Sequence, residues 1–88
     1  MKKSAEDIQL KVIARAPFHV YYEGLARVVS ASNSVGSFDI LPGHADFFSV
    51  LTPGEVSIEI DYKDPITFMI SGGIVGVRDD EVMLFVNM

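Results

Sequence analysis

The sequence predicts an all-β domain, an antiparallel β-sandwich or flattened barrel of about ten short strands. Apolar and polar residues alternate over several short segments, which is the period of a strand with one buried face. Clusters of Gly, Pro, Asn and Asp interrupt these segments at close spacing. No segment keeps the i, i+3, i+4 apolar spacing of a helix for three turns. Short strands joined by turns are therefore the expected architecture.

The composition indicates one folded domain. The chain has 88 residues, of which 49% are hydrophobic, whereas disordered chains are poor in such residues. It contains no cysteine, so disulfides cannot stabilise it. We expect a single domain over residues 1–88, with strands between about residues 8 and 86 and a flexible N-terminus at residues 1–7.

The first part of the chain predicts three strands. In residues 8–15 the apolar residues Ile8, Leu10, Val12 and Ala14 recur at every second position, with the polar residues Gln9, Lys11 and Arg15 between them. Residues 18–23 are rich in aromatic and β-branched residues, and Gly24 is expected to end this strand. Residues 26–31 run into the polar cluster at 32–36, which is expected to turn the chain.

The middle of the chain predicts a shaped loop. The run Leu41-Pro42-Gly43-His44 combines a proline that cannot donate a backbone hydrogen bond with a glycine that can adopt positive φ. The adjacent Phe47 and Phe48 should face opposite sides of a strand. Either both rings are covered by the protein, or one of them is an anchor for a partner.

The last part predicts further strands and a buried C-terminal segment. Residues 55–61 show the clearest alternation, with their apolar members facing the core. The glycine pair at 72–73 is expected to break the next apolar stretch, and residues 79–80 are expected to form a turn. Residues 82–86 are apolar on both faces, so we expect a central strand buried between layers.

Charge and hydropathy exclude several classes of partner. The net charge of −5 disfavours nucleic acid, whose binding depends on Lys and Arg neutralising phosphates. Two acidic residues follow the positive N-terminus where a signal peptide would place its apolar core. No stretch approaches the roughly 20 apolar residues of a membrane span. We expect a soluble, intracellular protein without a transmembrane segment of its own.

The sequence predicts no catalytic centre, no metal site and no cofactor. His19 and His44 lie far apart and lack partners at metal-ligand spacing. No serine stands in the GxSxG context of a nucleophile elbow. The carboxylate pairs at 6–7 and 79–80 fall at a terminus and a turn, where solvated acids are expected. His44 follows a Pro-Gly turn, and both an interface or loop-shaping role and an incidental one remain open.

Three motifs carry a resemblance to a known family. The run GSFDILPGHA at 36–45, the LTPG at 51–54 and the ISGGI at 70–74 resemble, in order and spacing, the epsilon subunit of bacterial F-type ATP synthases. The resemblance covers roughly residues 8–86. It implies a ten-stranded β-sandwich at the foot of the central stalk, on the cytoplasmic side of the bacterial membrane.

The resemblance also implies partners and a function. Such a subunit is a non-catalytic part of the rotor, and it binds the gamma subunit on one side and the c-ring on the other. It thereby helps to couple ion translocation to ATP synthesis. The predicted interface residues are Val35, Gly36, Ser37, Leu41, Pro42, Gly43, His44 and Phe47. The resemblance implies that the loops at 35–37 and 41–44 both face the ring and that neighbouring strands face gamma.

Two departures from the family pattern affect these expectations. Val35 and Ser37 stand where many members carry glutamates on either side of the loop glycine, so polar bonding to the ring should differ. Val35 could instead pack on an apolar spot of the ring or of gamma. The usual pair of C-terminal helices does not follow residue 86, so we expect neither inhibition of ATP hydrolysis nor ATP binding. The alternative function is a free-standing module for a small ligand or carbohydrate, lined by Tyr21, Tyr22 and Tyr62.

Overall fold

Residues 9–87, which the computed structural model describes, form two β-sheets packed face to face. The strands are β1 Leu10–Ala16, β2 His19–Ala26, β3 Val28–Asn33, β4 Gly36–Ile40, β5 Phe47–Leu51, β6 Gly54–Glu59, β7 Ile66–Ile70, β8 Gly72–Arg78 and β9 Glu81–Asn87. The predicted all-β sandwich is confirmed, with nine strands in the described residues. The predicted flexible segment 1–7 and the first residue of the predicted first strand, Ile8, lie outside them.

The two sheets differ in size and in strand pairing. One sheet has the order β2-β1-β9-β8-β5 and the other the order β4-β3-β6-β7. All neighbouring pairs are antiparallel except β1 and β9, which run parallel with Val12 beside Val82. Parallel neighbours need a long connection, and here the seven intervening strands provide it. The predicted antiparallel sandwich thus contains one parallel pair.

The core lies between the sheets and is built from the inward residue of each alternating pair. The buried apolar residues are Leu10, Val12, Ala14, Ala26, Val29, Ala31, Ile40, Leu51, Val56, Ile58, Ile70, Val75, Val77, Val82, Leu84 and Val86. The inward positions expected at 8–15 and 55–61 are confirmed for all members within the described residues, with Ile60 partly buried against the core. No polar or charged side chain is buried among residues 9–87. Apolar burial is thus the main source of stability for this domain.

The structure places Gly24 and the glycine pair at 72–73 inside strands. Gly24 lies inside β2 opposite Val12, and the irregularity of this hairpin is a β-bulge near Tyr21. The apolar stretch 66–78 is divided into β7 and β8 as predicted, but the break lies at Ser71 and the glycine pair opens β8. At Gly73 an added Cβ would lie 2.5 Å from the Phe85 backbone oxygen, at a φ of +155°. Only glycine allows β8 and β9 to approach this closely.

The C-terminal strand β9 is central within its sheet but is buried on one face only. Its neighbours are β1 and β8, as expected for a central strand. Leu84 is fully buried, whereas Met83 and Phe85 are exposed by 56% and 39% on the opposite face. The expected burial of both faces is wrong, because the described residues supply two layers and no third layer covers this sheet.

Candidate interaction surface

The outer face of the five-stranded sheet is a broad apolar surface, which we call the open face. The strand registers arrange it in two apolar rows, one containing Phe48, Gly76, Met83, Ile13 and Glu23 and the next containing Val50, Ile74, Phe85, Arg15 and Val20. Seven of its large apolar side chains are exposed: Val20, Leu25, Phe48, Val50, Ile74, Met83 and Phe85. Contiguous exposed apolar surface of this kind marks interaction sites.

A third row of the open face carries charge. Arg78 lies beside Glu81, Glu81 beside Lys11 and Lys11 beside Leu25. A groove of about 680 Å³ lies over the charged row and the neighbouring row of Gly76, Met83 and Ile13, and its lining includes the outward residues Lys11, Ile13, Gly76, Arg78, Glu81 and Met83. The groove therefore faces away from the core. Apolar rows, a groove and a charged margin together resemble the centre and rim of a protein interface.

The outer face of the four-stranded sheet has the opposite chemistry, and we call it the hydroxyl face. One row runs across all four strands as Asp39, Ser30, Ser57 and Thr67. The Ser30 hydroxyl donates a 2.7 Å hydrogen bond to Oδ1 of Asp39. Among the described strands of this sheet, Met69 is the only strongly exposed large apolar residue. Small hydroxyls and carboxylates are well solvated, so this face needs no partner.

The predicted interface loop at Val35 is a rigid turn that displays one apolar side chain. Oδ1 of Asn33 accepts hydrogen bonds from the backbone N–H of Val35 at 2.9 Å and of Gly36 at 3.2 Å. The amide nitrogen of Asn33 donates to the Ser49 hydroxyl at 3.1 Å. An asparagine that satisfies backbone donors in this way fixes the turn. Val35 is 94% exposed at its tip.

The second predicted loop is a tight turn that other residues of the chain hold in place. The His44 N–H donates to the Leu41 oxygen at 3.1 Å, and Gly43 has a φ of +84° after Pro42, as in a type II turn. The Gly43 N–H in turn donates to Oδ1 of Asp80 at 2.8 Å. The shaped loop predicted from the sequence is thus present, and a distant hairpin fixes it.

That hairpin is the predicted turn at 79–80. Asp79 and Asp80 both have positive φ, 49° and 61°, which is the backbone of a two-residue hairpin loop that Asp tolerates. A second bond links the same two loops, since the Asp79 N–H donates to Oδ1 of Asp46 at 3.2 Å. The hairpin and the loop therefore form one structural unit at this end of the sandwich.

The structure separates the two predicted loops. The Val35 turn precedes β4 and the Leu41–His44 turn follows it, so they lie at opposite ends of the sandwich. Gly36 and Ser37 belong to the start of β4 and share the Val35 end. The sequence-predicted residues are thus not one patch but two, which flank the ends of the same strand.

The adjacent phenylalanines point to opposite sides, as their positions in a strand require. Phe47 packs within the fold, with its ring centroid 5.4 Å from those of Phe38 and His44. Phe48 faces outward on the open face and is 67% exposed. The exposed member of the pair is therefore Phe48, whereas the sequence predicted Phe47 as the interface residue.

Sequence reasoning missed the open face although its signal is present. The apolar residues on the second face of 82–86 predict burial between layers, but the same pattern also fits a face that a partner covers. The alternation in β5 and β8 gives the same signal, since Phe48, Val50 and Ile74 are apolar at outward positions. Period-two patterns identify apolar faces without showing what covers them.

The tyrosines proposed for a ligand-binding module do not share a face. Tyr21 stacks on Phe68 between the sheets, with centroids 4.2 Å apart. Tyr22 donates its hydroxyl to the Leu25 oxygen, and burial raises the pKa of its phenol. Tyr62 lies exposed in the connection after β6. None of the three lines the groove of the open face.

The structure also bears on metal binding and membrane crossing. Within residues 9–87, no three His, Asp or Glu side chains come together as a metal-binding group. The same residues contain no helix that could span a bilayer.

Comparison with known sequences identifies a family and several relatives that carry the same name. Residues 8–88 match the family described as "ATP synthase, Delta/Epsilon chain, beta-sandwich domain". The chain is 42% identical over 64 residues to the ATP synthase epsilon chain of Ruthia magnifica subsp. Calyptogena magnifica, which covers 73% of this chain and 46% of that protein. It is 36% identical over 77 residues to the epsilon chain of Desulforudis audaxviator, covering 88% of this chain and 56% of the relative. The chain thus spans about half the length of the curated relatives it matches.

Solved structures show the same fold. A chain in the Euglena gracilis mitochondrial ATP synthase OSCP/F1/c-ring assembly superposes with a TM-score of 0.85 at 19% identity, covering all of this chain and 59% of the other. A chain in the central stalk and c-ring of the Tetrahymena thermophila enzyme superposes with a TM-score of 0.75 at 22% identity, covering 90% of this chain and 63% of the other. At these identities the likeness concerns the fold.

Proposed function

This chain belongs to the ATP synthase delta/epsilon family, and we propose that it is a non-catalytic central-stalk subunit of an F-type ATP synthase. In this role it links the gamma subunit to the c-ring and helps to couple ion translocation to ATP synthesis. The relatives are named as epsilon chains, and the matching folds occur in ATP synthase assemblies that include the c-ring. The protein would be peripheral, on the cytoplasmic side of the membrane, as part of a proton- or sodium-transporting complex.

The observation that carries the proposal is the contrast between the two outer faces. The open face exposes seven large apolar side chains, whereas the described strands of the hydroxyl face expose one. A sheet with an uncovered apolar face gains free energy when another element covers it. We assign the open face to the gamma subunit because the stalk partner with the larger contact should take the larger apolar surface.

The Val35 turn is the surface we assign to the c-ring. It lies at one end of the sandwich, apart from the Leu41–His44 turn at the other end. The Asn33 hydrogen bonds hold the Val35 side chain in a defined position without help from a partner. A preorganised tip binds at a smaller entropic cost than a flexible loop. Gly36 and Ser37 continue this contact, and the Leu41–His44 turn completes the side facing gamma, with the Phe47 ring packed behind it against His44.

The experiment is copurification of the tagged chain from native membranes, followed by quantification of gamma and c-ring subunits. The test variant is Met83→Glu on the open face, and the matched control is Met69→Glu on the hydroxyl face. The two methionines have similar exposures, 56% and 63%, so the same charge is introduced at comparable cost to folding. We expect at least tenfold lower recovery of gamma with Met83→Glu and normal recovery with Met69→Glu, because only the first buries a charge in the interface.

A second variant examines the ring contact. Val35→Glu should retain gamma and lose the ring when the complex is dissociated mildly, whereas His44→Ala at the opposite end should retain the ring. Recovery of the wild-type chain without any stalk subunit would refute the proposed function. Equal losses with Met83→Glu and Met69→Glu would refute the assignment of the open face.

A further inference from the structure

The centre of the open face has a gap where a side chain would be expected. Gly76 lies in β8 directly between Phe48 on one neighbouring strand and Met83 on the other. An added Cβ at Gly76 would meet no atom within 4 Å. Gly76 also lines the groove of about 680 Å³ that opens outward from this sheet. The missing side chain therefore leaves a recess between two protruding apolar residues.

The fold itself does not require this glycine. Its φ is not among the positive values that favour glycine, and the space above it is free. Gly73 in the same strand is the contrasting case, because its φ is +155° and a Cβ there would collide with the backbone of Phe85. Glycine inside a strand is unfavourable for stability and often marks a place where another molecule approaches closely.

The lining of the groove defines the chemistry of its occupant. Ile13 and Met83 provide apolar walls, and methionine adapts its shape to a neighbouring group. Lys11 and Arg78 lie on the charged margin on either side of Glu81. Neither cation forms an ion pair with a carboxylate of the described chain. The groove thus suits an apolar group whose neighbours are acidic.

We propose that the groove over Gly76 receives a large apolar side chain from a helix of the gamma subunit, and that acidic residues beside it pair with Lys11 and Arg78. This rests on the proposed function, which places gamma on the open face. A helix fits because outward residues of a strand repeat about every 6.8 Å, so a helix about 10 Å wide covers the two apolar rows. Gly76 is then a specificity-determining position, since any side chain there would occupy the space of the incoming residue.

The experiment measures binding of the purified gamma subunit from the same organism by calorimetry. The test variant is Gly76→Phe, which fills the groove, and Gly76→Ala is the graded variant. Ser57→Phe introduces the same ring at the centre of the hydroxyl face and is the matched control. We expect the dissociation constant to rise at least tenfold for Gly76→Phe, less than threefold for Gly76→Ala, and not at all for Ser57→Phe.

Thermal unfolding of each variant accompanies the binding measurement. A melting temperature for Gly76→Phe equal to or above that of the wild type, together with weakened binding, supports the inference, because the loss then lies in the contact and not in the fold. Unchanged or tighter binding by Gly76→Phe would overturn it, since a partner lying flat on the sheet gains from the added ring. A melting temperature clearly lowered by Gly76→Phe would also overturn it.

The binding data of the wild type and of Gly76→Phe distinguish an error about the groove from an error about the proposed function. If the wild-type chain binds gamma and Gly76→Phe binds equally well, only the groove is excluded as the contact. If the wild type does not bind gamma at all, the proposed function and the inference fail together. A wild-type dimer that Gly76→Phe dissociates would assign the groove to a second copy of this chain and overturn the assignment to gamma.

Discussion

The open face and the hydroxyl face belong to sheets that share one core, yet their chemistry differs. The open face carries the cations Lys11, Arg15 and Arg78 together with Glu23 and Glu81, although the whole chain has a net charge of −5. The described strands of the hydroxyl face carry Asp39, Glu55 and Glu59 and no cation. Both sheets contribute buried apolar residues to the shared core, so the core does not require this difference between their outer faces. The difference indicates that the hydroxyl face is suited to contact with solvent and the open face to contact with a partner protein.

If the open face serves a partner, the fold should depend on the core-facing positions of its strands and not on their outward positions. Gly73 and Gly76 test this within β8, because they face opposite sides of the same strand. We expect Gly73→Ala to lower the free energy of unfolding by about 3 kcal/mol, through the clash with Phe85 and a strained φ. Gly76→Ala should raise it by up to about 1 kcal/mol. Urea denaturation measures both, and equal effects would contradict the comparison.

Transferring the chemistry of the hydroxyl face to the open face is the second test. The double variant Phe48→Thr, Met83→Thr replaces two exposed apolar residues by small hydroxyl residues that suit a strand. We expect the free energy of unfolding to change by less than about 1 kcal/mol, while binding of an apolar fluorescent dye decreases clearly. Equilibrium unfolding and dye fluorescence provide the two readouts. A loss of more than about 2 kcal/mol would mean that the open face contributes to the core.

The smallest effect concerns the hydroxyl face. Ser30→Ala removes the hydroxyl that donates to Asp39 at 2.7 Å on an exposed surface. We expect a loss of about 0.5 kcal/mol, because water replaces most of an exposed hydrogen bond. Ser57→Ala in the same row is the control, since no carboxylate of residues 9–87 accepts a bond from its hydroxyl. Chemical denaturation should show no measurable change for the control, and an equal loss there would remove the role assigned to the Ser30 bond.

Much of the fold could be predicted from the sequence because the signals involved are local. The alternation at 55–61 predicts which side chains face the core, and Val56 and Ile58 are fully buried. The two acidic residues at 79–80 predict a turn, and their positive φ values explain why Asp is suited to it. The Pro-Gly pair at 42–43 likewise predicts a turn that the structure contains.

The candidate site could be predicted only in part. The sequence identified the loops around Val35 and Leu41, but it treated them as one contact surface. Strand β4 runs from Gly36 to Ile40, so the loop before it and the loop after it lie at opposite ends of the strand. The sequence pattern does not show that these five residues form one continuous strand. The bond from Gly43 to Asp80 joins residues 37 positions apart, which no local pattern reveals. The open face was missed because an apolar strand face has the same sequence pattern whether the chain or a partner covers it.

The sequence by itself determined the fold class, the strands with their inward residues, the turns and the family motifs, because these depend on side-chain period and on residues close in the chain. The tertiary structure decided which strands are neighbours, which of the two sheets leaves an apolar face open, and where the recess over Gly76 lies. These features arise from pairing between distant segments. β1 and β9, at opposite ends of the described chain, lie side by side and complete the surface on which the proposed function depends.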